Sequence, residues 1–199
     1  MNLTAREFLK GMGLAAAAGT IPVSFAAAAA GVTVDEPGFR GFAMALAAAR
    51  CGAAAVLNVR EGRLLAAWAD ADRFRIVSTG GVEEGVWRLK TRGLCMEFML
   101  RMEIMGPIAS TPHPRPNSVW EPVLEVASAR RLMMRMLAES GVRTCFDVPQ
   151  AKRFVASRRE VTGDEFVSGQ LAGTAAALGA PADSPRVQAR FVRDLALPG

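Results

Sequence analysis

The stretch from Gly31 to Arg60 constrains this chain more than any other. A β-branched run, Val32-Thr33-Val34, leads into Glu36-Pro37-Gly38-Phe39-Arg40-Gly41. An alanine-rich segment follows from Phe42 to Arg50, then Cys51-Gly52, then a second apolar run from Ala53 to Val59. β-branched residues fit a pleated strand, alanine and leucine favour a helix, and glycine permits a turn. The order is therefore strand, glycine turn, helix, strand. Two neighbouring strands connected through a helix pair in parallel, which predicts an α/β architecture built on a parallel sheet.

A unit of this kind opens the dinucleotide-binding folds, in which Gly-x-Gly-x-x-Gly brings backbone close to a pyrophosphate at a helix N-terminus. Gly38 and Gly41 stand at the second and third fingerprint positions, and Glu36 stands at the first. The second strand would end on an acidic residue that holds a ribose. Here the residues are Asn58-Val59-Arg60, with Glu61 just beyond.

At 199 residues the chain is long enough for one domain with a substantial core, and 51% hydrophobic with 22% charged residues is a globular composition. The formal charge of +5 comes from arginines scattered along the chain, with no basic block, no nucleic-acid motif and no tyrosine for base stacking. A nucleic-acid role is not expected. Cys51, Cys95 and Cys145 are odd in number and widely spaced, which is neither a disulfide framework nor a zinc pattern. They read as small buried hydrophobes. The single histidine, His113, lies between two prolines and reads as a loop residue. No second imidazole exists to build a histidine metal site, so no metal is expected.

Residues 1–30 read as a targeting segment. Arg6 and Lys10 precede a run without charge from Gly11 to Val34, and Ser24 and Ala26 offer a small-x-small cleavage site. Thr4-Ala5-Arg6-Glu7-Phe8-Leu9-Lys10 resembles a twin-arginine export signal, with Ala5 in place of the first arginine. The expected location is exported: periplasmic, or membrane-anchored if the segment is not cleaved. The domain is then 31–199.

Further along, Arg60 to Ile76 is a mixed segment, and Val82 to Met105 has helical spacing with four methionines at its end. Pro107 to Asn117 is a proline-rich loop. A helix is predicted to start near Glu121-Pro122, with Val126, Ala129, Met133, Met136 and Leu137 as its buried stripe. Val142 to Phe146 reads as a strand, and so does Arg153 to Ala156. Gly169 to Leu178 and Pro185 to Leu195 read as helices.

These pieces resemble the FAD-dependent oxidoreductases that carry a twin-arginine-type leader. Besides the leader, Gly38 to Gly52 is similar to their Gly-x-x-Gly-x-x-Ala-Ala-x-Ala-Ala-Ala-Arg-x-Gly, and Glu139-Ser140-Gly141-Val142 to their Glu-Ala-Gly-Val. Gly169-Gln170-Leu171-Ala172-Gly173-Thr174-Ala175-Ala176-Ala177 is similar to their C-terminal Gly-Gln-Ala-Ala-Gly-Thr-Ala-Ala-Ala. The resemblance implies a truncated, Rossmann-like (FAD/NAD(P)-binding) parallel sheet with helices on both faces. It implies FAD as cofactor, held by Gly38, Phe39, Arg40 and Gly41 at one helix start and by Gly169, Gln170, Gly173 and Thr174 at another. Flavin carries the redox chemistry itself, so no catalytic side chain is assigned.

Three readings follow. In the first, the chain is a shortened, degenerate, non-catalytic relative that acts as a subunit or binding module, its methionine-rich helix and an exposed apolar loop suiting a protein partner or a second copy. Alternatively it is an active flavin-binding oxidoreductase of unknown substrate. The third reading is an alanine-rich α/β protein with an ordinary packed core.

Overall fold

The computed structural model describes residues 31–36, 38–59, 64–65, 72–77, 80–83, 86–89, 92–105, 121–146 and 160–195. The leader, the His113 loop and the Arg153–Ala156 segment lie outside the described residues.

The chain begins β1 (Gly31–Val34), α1 (Gly38–Arg50), β2 (Ala54–Val59), β3 (Arg73–Val77), β4 (Gly80–Glu83) and β5 (Val86–Leu89). It continues with α2 (Leu94–Ile104), β6 (Val123–Glu125), α3 (Val126–Glu139), β7 (Arg143–Phe146), β8 (Glu160–Thr162), α4 (Gly163–Leu178) and α5 (Pro185–Leu195).

The predicted parallel sheet is present, in the order β1-β2-β7. Val34 lies opposite Leu57, and Leu57 opposite Thr144, both pairings parallel. Alternation sorts the residues of each strand onto two faces. Val32, Val34, Ala55, Leu57 and Val59 are buried toward the helical layer, while Thr33 is exposed and Val56 and Asn58 half-buried on the other face. This is an α/β protein of truncated Rossmann-like type. A second sheet runs β6-β3-β8, with β3 antiparallel to β6 and parallel to β8.

The core between sheets and helices is built on five fully buried phenylalanines, Phe39, Phe42, Phe74, Phe98 and Phe166. The Phe39 ring centroid lies 4.9 Å from that of Phe166, 5.2 Å from Phe74 and 5.5 Å from Phe98. One cluster thus joins α1, β3, α2 and α4, and each ring removed from water contributes about 1.5–3 kcal/mol.

Three sequence expectations are corrected. The helix expected from Val82 is instead a hairpin, β4 paired antiparallel with β5, and the helix begins only at Leu94. The i, i+4 spacing of Val82 and Val86 mimicked a helix, but Gly80 and Gly81 weaken one. The helix expected near Glu121 starts at Val126. Before it the backbone is tied to β3, since Ile76 N–H donates to the Pro122 carbonyl at 3.0 Å and Val126 N–H to the Asp72 carbonyl at 2.9 Å. The helix expected from Gly169 starts at Gly163. Its signal was the capping box Thr162-Gly163-Asp164-Glu165.

Candidate functional site

The candidate site is the end of the parallel sheet where β1 runs into α1. Gly38 has φ +78°, a left-handed conformation that glycine adopts without strain. Gly41 answers a different need. A Cβ added there would stand 1.7 Å from the Glu36 carbonyl oxygen, so the helix rests directly on the end of the strand. Gly41 therefore meets the close helix–strand packing of the third fingerprint position, and Gly38 supplies a left-handed turn.

The side chains around them are another matter. Glu36, at the first fingerprint position, places its carboxylate 2.6 Å from Arg40 Nη1. Asp35, one residue earlier, accepts a 2.8 Å hydrogen bond from Asn58 Nδ2. Asn58 stands near the end of β2, where a ribose-binding acid was expected, and its amide is directed to Asp35. The turn thus carries two carboxylates, and the guanidinium beside them is engaged by one of them. Phe39, between Gly38 and Arg40, is fully buried in the phenylalanine cluster and contributes no polar atom.

The second predicted set comes from α4. Gly169 lies against α1: a Cβ on it would stand 2.3 Å from the Arg40 carbonyl. One turn on, a Cβ on Gly173 would stand 2.1 Å from the Met44 carbonyl. The contacts advance by one turn in the same chain direction on each helix, so α1 and α4 run parallel with their starts at the same end of the molecule. The structure therefore brings Gly38 and Gly169 to the same side, with Arg40 between them.

Gly169, Gln170, Gly173 and Thr174 nevertheless occupy the middle of α4, not its start. Gln170 is buried, and its Oε1 accepts a 3.2 Å hydrogen bond from the Leu94 N–H, which opens α2. Thr174 Oγ1 donates to the Gln170 carbonyl at 2.9 Å. The start of α4, at Gly163, is closed by its own residues. Thr162 and Glu165 form a reciprocal capping box, and Asp164 and Glu165 put two acids in the first turn. Carboxylates there satisfy free N–H groups and the positive end of the helix dipole, the same features that would attract a phosphate.

A flavin dinucleotide presents a pyrophosphate that needs open N–H groups and no neighbouring anion. The backbone at Gly38 and Gly41 fits that group; the side chains do not. Glu36 and Asp35 place like charge at the turn, and the start of α4 is already capped.

Cys95 is buried, and burial pushes its thiol well above the ordinary range. Burial also raises the half-buried Cys51 thiol, partly offset by Arg190. Among the described residues, no group of three or more histidine, cysteine or acidic side chains could hold a metal ion. Among them, too, no helix is long and apolar enough to cross a membrane.

No family model matches the sequence, and no curated protein matches it. Among solved structures, that of Thermovibrio ammonificans THI4 is similar at 12% identity and a TM-score of 0.37, covering 73% of this chain and 47% of that one. The chain thus spans about half the length of that protein. The Rossmann-like fold is seen in the parallel strand order, its register and the close packing at Gly41.

Proposed function

We propose that this chain is a shortened, non-catalytic relative of FAD-dependent oxidoreductases that keeps their scaffold and serves as a subunit or binding module. One observation carries the reading: glycines with fingerprint geometry, Gly38 and Gly41, surround a turn whose own Glu36 is paired with Arg40. The sequence resemblance at both ends of the chain supports the same origin.

Only the end of the methionine-rich helix is open to a partner. Met96, Met99 and Met102 are buried in the core. Among the described residues, the large exposed apolar side chains are Ile104 and Met105 at the end of that helix, Phe146 at the end of β7 and Val192 on α5. The leader-like residues 1–30 favour an exported, periplasmic or membrane-anchored protein. The alternative, an active flavin-binding oxidoreductase, draws its support from the same two glycines.

The test is to purify the full chain from its own host, record the visible spectrum and identify what accompanies it. The proposal expects a colourless protein recovered with a stoichiometric partner or a second copy of itself. Flavin absorbance in the purified chain favours the alternative.

A further inference from the structure

We infer that Glu36 is the anion of its own helix: its carboxylate, held by Arg40, takes the charge that a ligand phosphate would bring to an open dinucleotide turn. This rests on the reading proposed above and says what became of the cofactor site. The argument begins with the backbone. Gly41 seats α1 on the Glu36 carbonyl, with 1.7 Å between that oxygen and an added Cβ, so the Glu36 backbone cannot retreat without moving the helix. Its carboxylate then reaches Arg40, four residues on, at 2.6 Å.

Each of the two helix starts has carboxylates beside it. The first turn of α4 holds Asp164 and Glu165, whereas the first turn of α1 holds no acid. Glu36 stands two residues before α1 with its carboxylate on Arg40 of that first turn, and Asp35 beside it is bonded by Asn58. An incoming pyrophosphate would meet two carboxylates and would have to draw Arg40 away from its partner. Glu36 and Arg40 thus neutralise each other, and Glu36 is the carboxylate that occupies the turn's guanidinium.

The experiment titrates inorganic pyrophosphate, and separately ADP, into the full-length wild type, Glu36→Gln and Glu36→Gly. Binding is followed by the backbone amide resonances of Gly38 and Gly41. The wild type is expected to show no saturable shift, and both variants to bind at least about tenfold more tightly, the effect of removing one close like charge. Glu36→Gln keeps the side chain and its reach, so the test stands even if Glu36→Gly folds poorly. Wild-type binding equal to that of the variants overturns the inference, as does the absence of any gain in Glu36→Gln. Flavin on the wild-type chain counts against the parent reading; a missing gain in Glu36→Gln counts against this inference alone.

Discussion

Gly173 of α4 lies against the backbone of Met44 in α1, and a methyl group added to it would stand 2.1 Å from the Met44 carbonyl oxygen. With Gly169 over Arg40 one turn earlier, this contact sets the separation of the two parallel helices.

Replacing Gly173 by alanine is expected to destabilise the protein by about 1–3 kcal/mol, as overpacking does. Alanine improves helix propensity by about 1 kcal/mol, but the clash is with backbone, which cannot rotate away. Gly169→Ala should behave alike. Gly41→Ala, facing a carbonyl at 1.7 Å, should cost more than either. Urea unfolding of the three variants beside Ser168→Ala, an exposed position on the same helix, checks the order. Equal stability of all four would contradict the close crossing.

Gln170→Leu is expected to cost about 1–3 kcal/mol, because the buried Leu94 N–H loses its acceptor. Hydrogen exchange at the Leu94 amide should speed up along with the loss of stability. Unchanged exchange there would mean that Gln170 does not cap α2.

An ion-pair chain runs from Arg50 through Glu97 and Arg101 to Glu139 and Arg135, tying the end of α1 to α2 and α3. The Arg101 hydrogen bond, and then that of Arg135, hold the Glu139 carboxyl below its usual range. A carboxyl lowered by folding adds stability above its unfolded value of about 4.3, and that stability drains away as pH falls through the lower folded value. Glu139→Gln should therefore flatten the fall in melting temperature between about pH 5 and about pH 3. A variant that falls as steeply as the wild type would remove Glu139 from the acid response.

Cys95 is buried on α2, with its thiol raised by desolvation. It should resist thiol reagents in the native protein and react on unfolding, since the thiolate is the nucleophile. Mass mapping of labelled peptides, with the half-buried Cys51 and Cys145 as internal references, reports this directly.

Much of the parallel unit was legible in the sequence because local propensity and tertiary pairing agree there. Val32-Thr33-Val34 and Ala53 to Val59 are apolar or β-branched, glycines punctuate both ends of α1, and the sheet forms from these runs and the strand after Gly141. Where the two disagree, the sequence misled. Val82 and Val86 fit a helix by spacing, yet their backbone pairs in a hairpin. Pro122 suits a first helical turn, yet its carbonyl is claimed by Ile76 of β3. At the site, the glycines could be found by spacing alone. That Glu36 reaches Arg40, that Asn58 turns to Asp35, and that Gln170 serves α2 are relations across three dimensions. The missed start of α4 did have a local signature, Thr162 with Glu165 three residues on.

The most direct test of the central claim, that the retained glycine turn is closed by its own charges, is a calorimetric titration of FAD into the full-length wild-type chain and Glu36→Gly side by side. No measurable heat of binding is expected for the wild type, and a saturable isotherm for the variant. Stoichiometric FAD binding by the wild type, at an affinity the substitution leaves unchanged, would contradict it.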